Sequence, residues 1–107
     1  MMDEQQKALI EAKANVLKAL GHPTRLWMAE QLVNGEKCVC ELAETIDADF
    51  STISKHLSVL RNAGVVEDEK RGKMVYYTLK VPCILEYMSC VEKVVRARID
   101  DQLKIVV

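Results

Sequence analysis

Cys38 and Cys40 stand one residue apart in the run Lys37-Cys38-Val39-Cys40-Glu41-Leu42, in a chain with four cysteines and two histidines. Thiolate sulfur prefers soft or borderline ions. A cysteine at a helix start ionises more easily, because the backbone dipole there favours negative charge. Lys37 adds to that effect, while Glu36 and Glu41 oppose it. On an intact helix, residues i and i+2 point about 200° apart. Both sulfurs therefore hold one ion only if the helix start is distorted or if Cys38 lies outside it. Capture by both is expected to strain or unwind that helix, a physical route from binding to a change of state. A disulfide within the pair is expected to be strained. A redox switch would then join Cys38 or Cys40 to a distant thiol.

The distant thiols are Cys83 and Cys90, seven residues apart and so on one face of a C-terminal helix. Either is a candidate third sulfur, from the same chain or from a second copy. The plainer alternative for each is a small buried hydrophobe. His22, directly before Pro23, reads as a helix cap. No oxyanion site or orienting third group accompanies a Cys–His pair, so the chain is not expected to be an enzyme.

A second cluster follows: Phe50-Ser51-Thr52-Ile53-Ser54-Lys55-His56-Leu57. Ile53, Leu57 and Leu60 share one helix face and point to a core. Ser51, Thr52, Ser54, Lys55 and His56 lie on the other side, small or hydrogen-bonding as a helix entering a DNA major groove requires. The alternative is an ordinary helix start. Lys55 or Arg61 can reach phosphate, and Arg71 and Lys73 can reach backbone or minor groove. Residues 51–80 hold six Lys and Arg against three Asp and Glu, a net +3, while the whole chain carries −1. The remaining residues therefore carry −4, and a locally basic segment on an acidic body suits a face that meets phosphate.

The elements that must position these groups can be read along the chain. Leu9, Ala12, Val16, Ala19 and Leu20 give a first helix, from about Glu4 to Leu20, ended by Gly21. Pro23 suits the first turn of a second, closed by Asn34-Gly35. A short third helix runs from near Val39 to Thr45. Asp49 or Ser51 caps a fourth that ends near Asn62. Val65-Val66 and Met74–Leu79 form a β-hairpin about Arg71-Gly72. Pro82 opens a last helix with Ile84, Tyr87, Met88, Val91, Val94, Val95 and Ile99. The order is ααααββα, a mainly α winged helix-turn-helix. The apolar stripes of the first and last helices exceed the needs of one core, which predicts a homodimer joined through them.

At 107 residues the chain, 1–107, reads as a single domain. Half its residues are hydrophobic but only 5% aromatic, so the core must be aliphatic. The first ten residues have no signal-peptide core, and no run approaches the roughly 18 apolar residues of a membrane span. The expectation is a cytoplasmic protein with no membrane association, whose cysteines serve metal or redox chemistry.

Leu20-Gly21-His22-Pro23-Thr24-Arg25-Leu26, Cys38-Val39-Cys40-Glu41-Leu42-Ala43, Ser51-Thr52-Ile53-Ser54-Lys55-His56-Leu57 and Val75-Tyr76-Tyr77-Thr78-Leu79 together resemble the ArsR/SmtB family over about residues 16–80. The resemblance implies a homodimeric winged-helix repressor that leaves double-stranded operator DNA when inducer binds. The Cys-Val-Cys run resembles the site of the family's arsenite and antimonite sensors, so it implies As(III) or Sb(III), or another soft metal ion, as inducer. Many of those sensors carry a third cysteine where this chain has Ala43. The terminal helix lacks the histidines that the family's zinc, cobalt and nickel sensors use. A redox- or persulfide-sensing repressor of the same fold, needing no ion, is the alternative. Phe50 stands where relatives place a polar residue; it either packs on a thymine methyl or anchors the core, and the anchor is the expectation.

Overall fold

Helix α1, Glu4–Leu20, starts where the Asp3 carboxylate accepts from the Gln6 N–H at 2.8 Å and the Gln6 side chain accepts from the Asp3 N–H at 3.0 Å. The computed structural model describes residues 1–106, with side chains described through Leu103. Helix α2, Pro23–Gln31, follows after Gly21-His22. His22 caps it as expected: its Nδ1 accepts from the Thr24 N–H at 3.1 Å. Arg25 Nε donates to the Ala19 carbonyl at 2.7 Å, tying α2 to the end of α1. The helix ends at Gln31, a turn before Asn34-Gly35, with Leu32 as its C-cap.

Strand β1, Lys37–Cys38, comes next and then α3, Val39–Ile46. The two-residue β1 adds an element to the sequence-derived order, which becomes ααβααββα. It was missed because two residues are too short to show a period. Asp47 ends α3 in the left-handed region at φ 57°, a conformation that aspartate tolerates better than most residues. Two residues on, the Asp49 carboxylate accepts from the Thr52 N–H at 3.1 Å and caps α4, Phe50–Asn62. These are the helices of a helix-turn-helix.

Strands β2, Val66–Arg71, and β3, Met74–Leu79, form the hairpin. Arg71 opposes Met74, leaving Gly72-Lys73 as a two-residue turn; Gly72 has φ 64°, the left-handed geometry such a turn needs first. The sheet order is β1-β3-β2, all antiparallel, with Lys37 opposite Tyr77 and Cys38 opposite Tyr76. Helix α5, Pro82–Val106, closes the chain.

The core lies between α2, α3, α4 and the sheet. Met28, Leu42, Ile53, Leu57, Leu60, Val65 and Val66 are its largest fully buried members, aliphatic apart from the thioether. Ile53, Leu57 and Leu60 face inward from α4 as their spacing predicts.

The terminal helices tell a different story. Leu9, Ile10 and Leu17 on α1 and Tyr87, Val91, Val94, Val95, Ile99 and Leu103 on α5 are exposed. The chain exposes 7985 Å², where a folded monomer of this size should expose about 6,000 Å². Its radius of gyration is 16.8 Å, against about 13 Å for a compact domain of about 100 residues. Apolar faces of α1 and α5 with nothing packed on them contribute to the surplus surface. Among the described residues, no helix is long and apolar enough to cross a membrane.

Candidate thiol site and nucleic-acid interface

Cys38 is the residue before α3, with extended backbone at φ −84° and ψ 163°, and Cys40 lies in the first turn. The extended residue turns its side chain back toward the helix, and the sulfurs of Cys38 and Cys40 meet as a bonded pair, with Cα atoms 5.4 Å apart. Helix α3 is intact. Cys38 lies outside the helix, which is one of the two arrangements the sequence left open for the sulfurs to meet. The Cys38 N–H donates to Glu41 Oε1 at 3.3 Å, which fixes the segment at both ends.

Cys38 is buried and Cys40 half-buried. They border a cavity of about 250 Å³ whose other walls include Val39, Phe50, Ser54, Met74, Val75 and Tyr77. Lys73 flanks it. The thiols thus sit where α3, the start of α4 and the hairpin converge. Phe50 is 59% exposed, so it does not anchor the core. As the first residue of α4 it precedes the inward-facing stripe of Ile53, Leu57 and Leu60, which carries the packing.

Cys83 and Cys90 are unpaired and exposed on α5, not buried as small hydrophobes. Among the described residues, no group of three or more His, Cys, Asp or Glu side chains is gathered to hold a metal. Within one chain, neither cysteine of α5 joins the pair.

On α4, Ser51, Thr52 and Lys55 are exposed, and Ser54 is half-buried beside the cavity. The Ser51 hydroxyl donates to the Asp49 carboxylate at 3.3 Å. Hydrogen bonding from Thr52, helped by Ser51 and Lys55, holds the Asp49 carboxyl below the usual aspartate value. His56 is half-buried, and its ring lies 4.7 Å from that of His22 at 43°, turned toward the start of α2. Desolvation, then the charges of His22 and Arg25, lower the His56 pKa.

The basic groups divide into paired and unpaired. Arg61 bonds Asp68 at 3.0 Å. Arg71 bonds both Glu36 oxygens, at 2.6 and 2.9 Å, and Glu69 at 2.9 Å, and its guanidinium stacks 4.7 Å from the Tyr76 ring centroid. These hydrogen bonds lower the Glu36 pKa and raise that of Arg71. Lys55 and Lys73 make no ion pair among the described residues. The sequence marks Glu36 only as a charge near the thiols and Tyr76 only as part of the hairpin run; their contacts with Arg71 are not legible there. The signal for Glu36 is a contact across 35 residues, which no local pattern carries.

The arrangement matches known proteins. The model of the bacterial regulatory protein arsR family matches residues 22–68, from the cap of α2 into β2. The biofilm growth-associated repressor of Xylella fastidiosa is 39% identical over 79 residues, covering 74% of this chain and 69% of the relative. The chain belongs to the ArsR family. Members of this family are DNA-binding transcriptional regulators, not enzymes. The ArsR-family chain is also 45% identical over 67 residues to a cadmium resistance transcriptional regulatory protein CadC homolog of Staphylococcus aureus. That match covers 62% of the chain and only 55% of the relative's length. In three dimensions it resembles the homodimeric winged helix-turn-helix DNA-binding domain of a possible ArsR-family regulator from Mycobacterium bovis, with a TM-score of 0.77 and 26% identity. That likeness covers 94% of this chain and 93% of the other.

Proposed function

We propose that this chain is a cytoplasmic homodimeric transcriptional repressor that grips double-stranded operator DNA through α4 and the hairpin. It lets go when the thiolates of Cys38 and Cys40 take a thiophilic ion, As(III) or Sb(III) first among them. The meeting of the two sulfurs at the first turn of α3, against the start of α4 and the hairpin, carries this reading. Ser51, Thr52, Ser54 and Lys55 would face the groove, and Lys73 would reach the backbone. His56, turned onto His22, holds α4 in place. The dimer would form through the apolar faces of α1 and α5, which contribute to the surplus surface, and the Mycobacterium bovis neighbour is itself homodimeric.

The donor set fits a soft ion in part. Two thiols converge in one chain, and a third sulfur would have to come from Cys83 or Cys90 of a second copy. Such an ion would supply sulfur bonds that tie the start of α3 to its occupant. The chain's own residues then determine what that tie moves.

The paired sulfurs also favour a second reading, a redox- or persulfide-sensing repressor that switches by closing Cys38 onto Cys40. Fluorescence anisotropy on operator DNA, with reduced protein titrated by arsenite, antimonite, cadmium and zinc, separates the two. The ion reading expects arsenite to weaken DNA binding, Cys38→Ser and Cys40→Ser to abolish the response, and Cys83→Ser and Cys90→Ser to test the third sulfur. An unchanged affinity with arsenite, together with a loss on oxidant or persulfide, selects the redox reading. A Cys38→Ser protein that responds like wild type rejects both.

A further inference from the structure

We infer that Phe50 selects a thymine in each half-site of the operator, its ring packing on the thymine C5-methyl in the major groove. The inference rests on the DNA-binding reading above and adds to it one base and the residue that chooses it.

Phe50 is the first residue of α4 and is 59% exposed. Nothing in the helix start calls for an aromatic there. The Asp49 carboxylate already supplies the cap. The residue before a cap and the fourth residue of the helix ordinarily clasp such a start. Here those positions are Ala48 and Ile53, and both pack in the core. The proposed dimer faces lie elsewhere too. The residues that share a cavity with Phe50 come from β1, α3, α4 and the hairpin, none from α1 or α5. Helix α4 meets α1 toward its other end, through Val59, Asn62 and Ala63.

The ring stands where a base edge would be met. Helical side chains lean toward the N-terminus, so Phe50 projects at the tip of α4, and a recognition helix presents its N-terminal residues to the bases. Met74, 39% exposed, borders the same cavity from the hairpin and widens the apolar spot. Polar groups frame it. Ser54 lies one turn along the same side, Lys73 flanks the hairpin edge, and Ser51 and Thr52 follow Phe50 directly.

An apolar spot framed by donors matches one base. In the major groove only thymine presents a methyl group, and its O4 acceptor lies beside it. The phenyl ring covers the methyl, and the Ser54 hydroxyl can donate to an acceptor next to it. Cytosine at that place would set an N4 donor, with no methyl, against the ring. Phosphate would gain nothing from Phe50, which carries neither charge nor donor.

Reduced full-length protein, as wild type, Phe50→Ala and Phe50→Leu, selects its site from random duplexes. Wild type is expected to require a thymine at one position of each half-site. Phe50→Ala should lose that requirement alone, and Phe50→Leu, still apolar, should keep most of it. Uracil in place of that thymine removes only the methyl. By anisotropy it should weaken wild type about fourfold per half-site, the worth of about one buried methyl, and leave Phe50→Ala unaffected. The salt slope of Phe50→Ala should match that of wild type, since no phosphate contact is lost. A Phe50→Ala protein that selects the same thymine overturns the assignment. So does a wild type indifferent to uracil, or a variant as sensitive to it as wild type. A wild type that selects no sequence at all overturns the DNA-binding reading itself.

Discussion

Cys38 lies directly opposite Tyr76 in the antiparallel pairing of β1 with β3. The Tyr76 ring in turn carries the Arg71 guanidinium, which reaches back to Glu36, two residues before Cys38. The thiol segment and the hairpin are thus closed into one loop of contacts, and a change at the sulfurs has a structural path to the hairpin. Arg71→Ala opens that loop. We expect it to shrink the inducer-driven loss of operator affinity several-fold while inducer still binds the thiols. Coupling of this kind is worth about 5–150-fold between sites. Anisotropy titrations with and without inducer give the coupling directly, and an undiminished factor would show that the hairpin is not on the path.

Salt dependence separates the basic residues that touch phosphate from those that hold the fold. Lys55 and Lys73 make no ion pair among the described residues, whereas Arg61 and Arg71 do. Each phosphate contact contributes a slope of about −0.9 in log K against log salt. Lys55→Ala and Lys73→Ala should each make the slope shallower by about that amount. Arg71→Ala should leave it nearly unchanged. A shift for Arg71 equal to that for Lys73 would mean its exposed pairs with Glu36 and Glu69 are exchanged for phosphate on binding.

Val95→Glu tests the assembly. Val95 is 48% exposed on α5, within the stripe that includes Val91, Val94 and Ile99. A carboxylate there, buried against a second copy, would lose its hydration without a partner. Sedimentation should turn from dimer to monomer, and operator affinity should fall with it. A variant that stays dimeric places the interface elsewhere.

Much of this fold is written in local patterns. Asp49 before Phe50, Pro23 after His22, the inward triplet Ile53, Leu57 and Leu60, and Gly72 in a two-residue turn each act within a few residues, so periodicity and cap chemistry expose them. The thiol site was only half legible. Residue types and spacing mark Cys38 and Cys40, but whether their sulfurs meet depends on one backbone angle pair at Cys38, which strand β1 fixes. That strand exists through pairing with residues nearly 40 positions away. The Glu36–Arg71 pair and the exposure of Phe50 belong to the same class: long-range geometry decides them.

His56 gives the last prediction, on pH. Burial, then the positive charges of His22 and Arg25, hold its pKa below the ordinary 6.5. The unfolded chain therefore takes up this proton first as pH falls. Stability from neutral His56 is full above about pH 6.5, declines as pH falls from there toward the folded value, and is flat below it. The thermal midpoint of reduced protein should drop between about pH 7.5 and about pH 5.5, a range above most carboxylate titration. His56→Gln should flatten that dependence by removing the group that titrates. A variant whose midpoint falls as steeply as wild type would show that His56 does not carry the pH dependence.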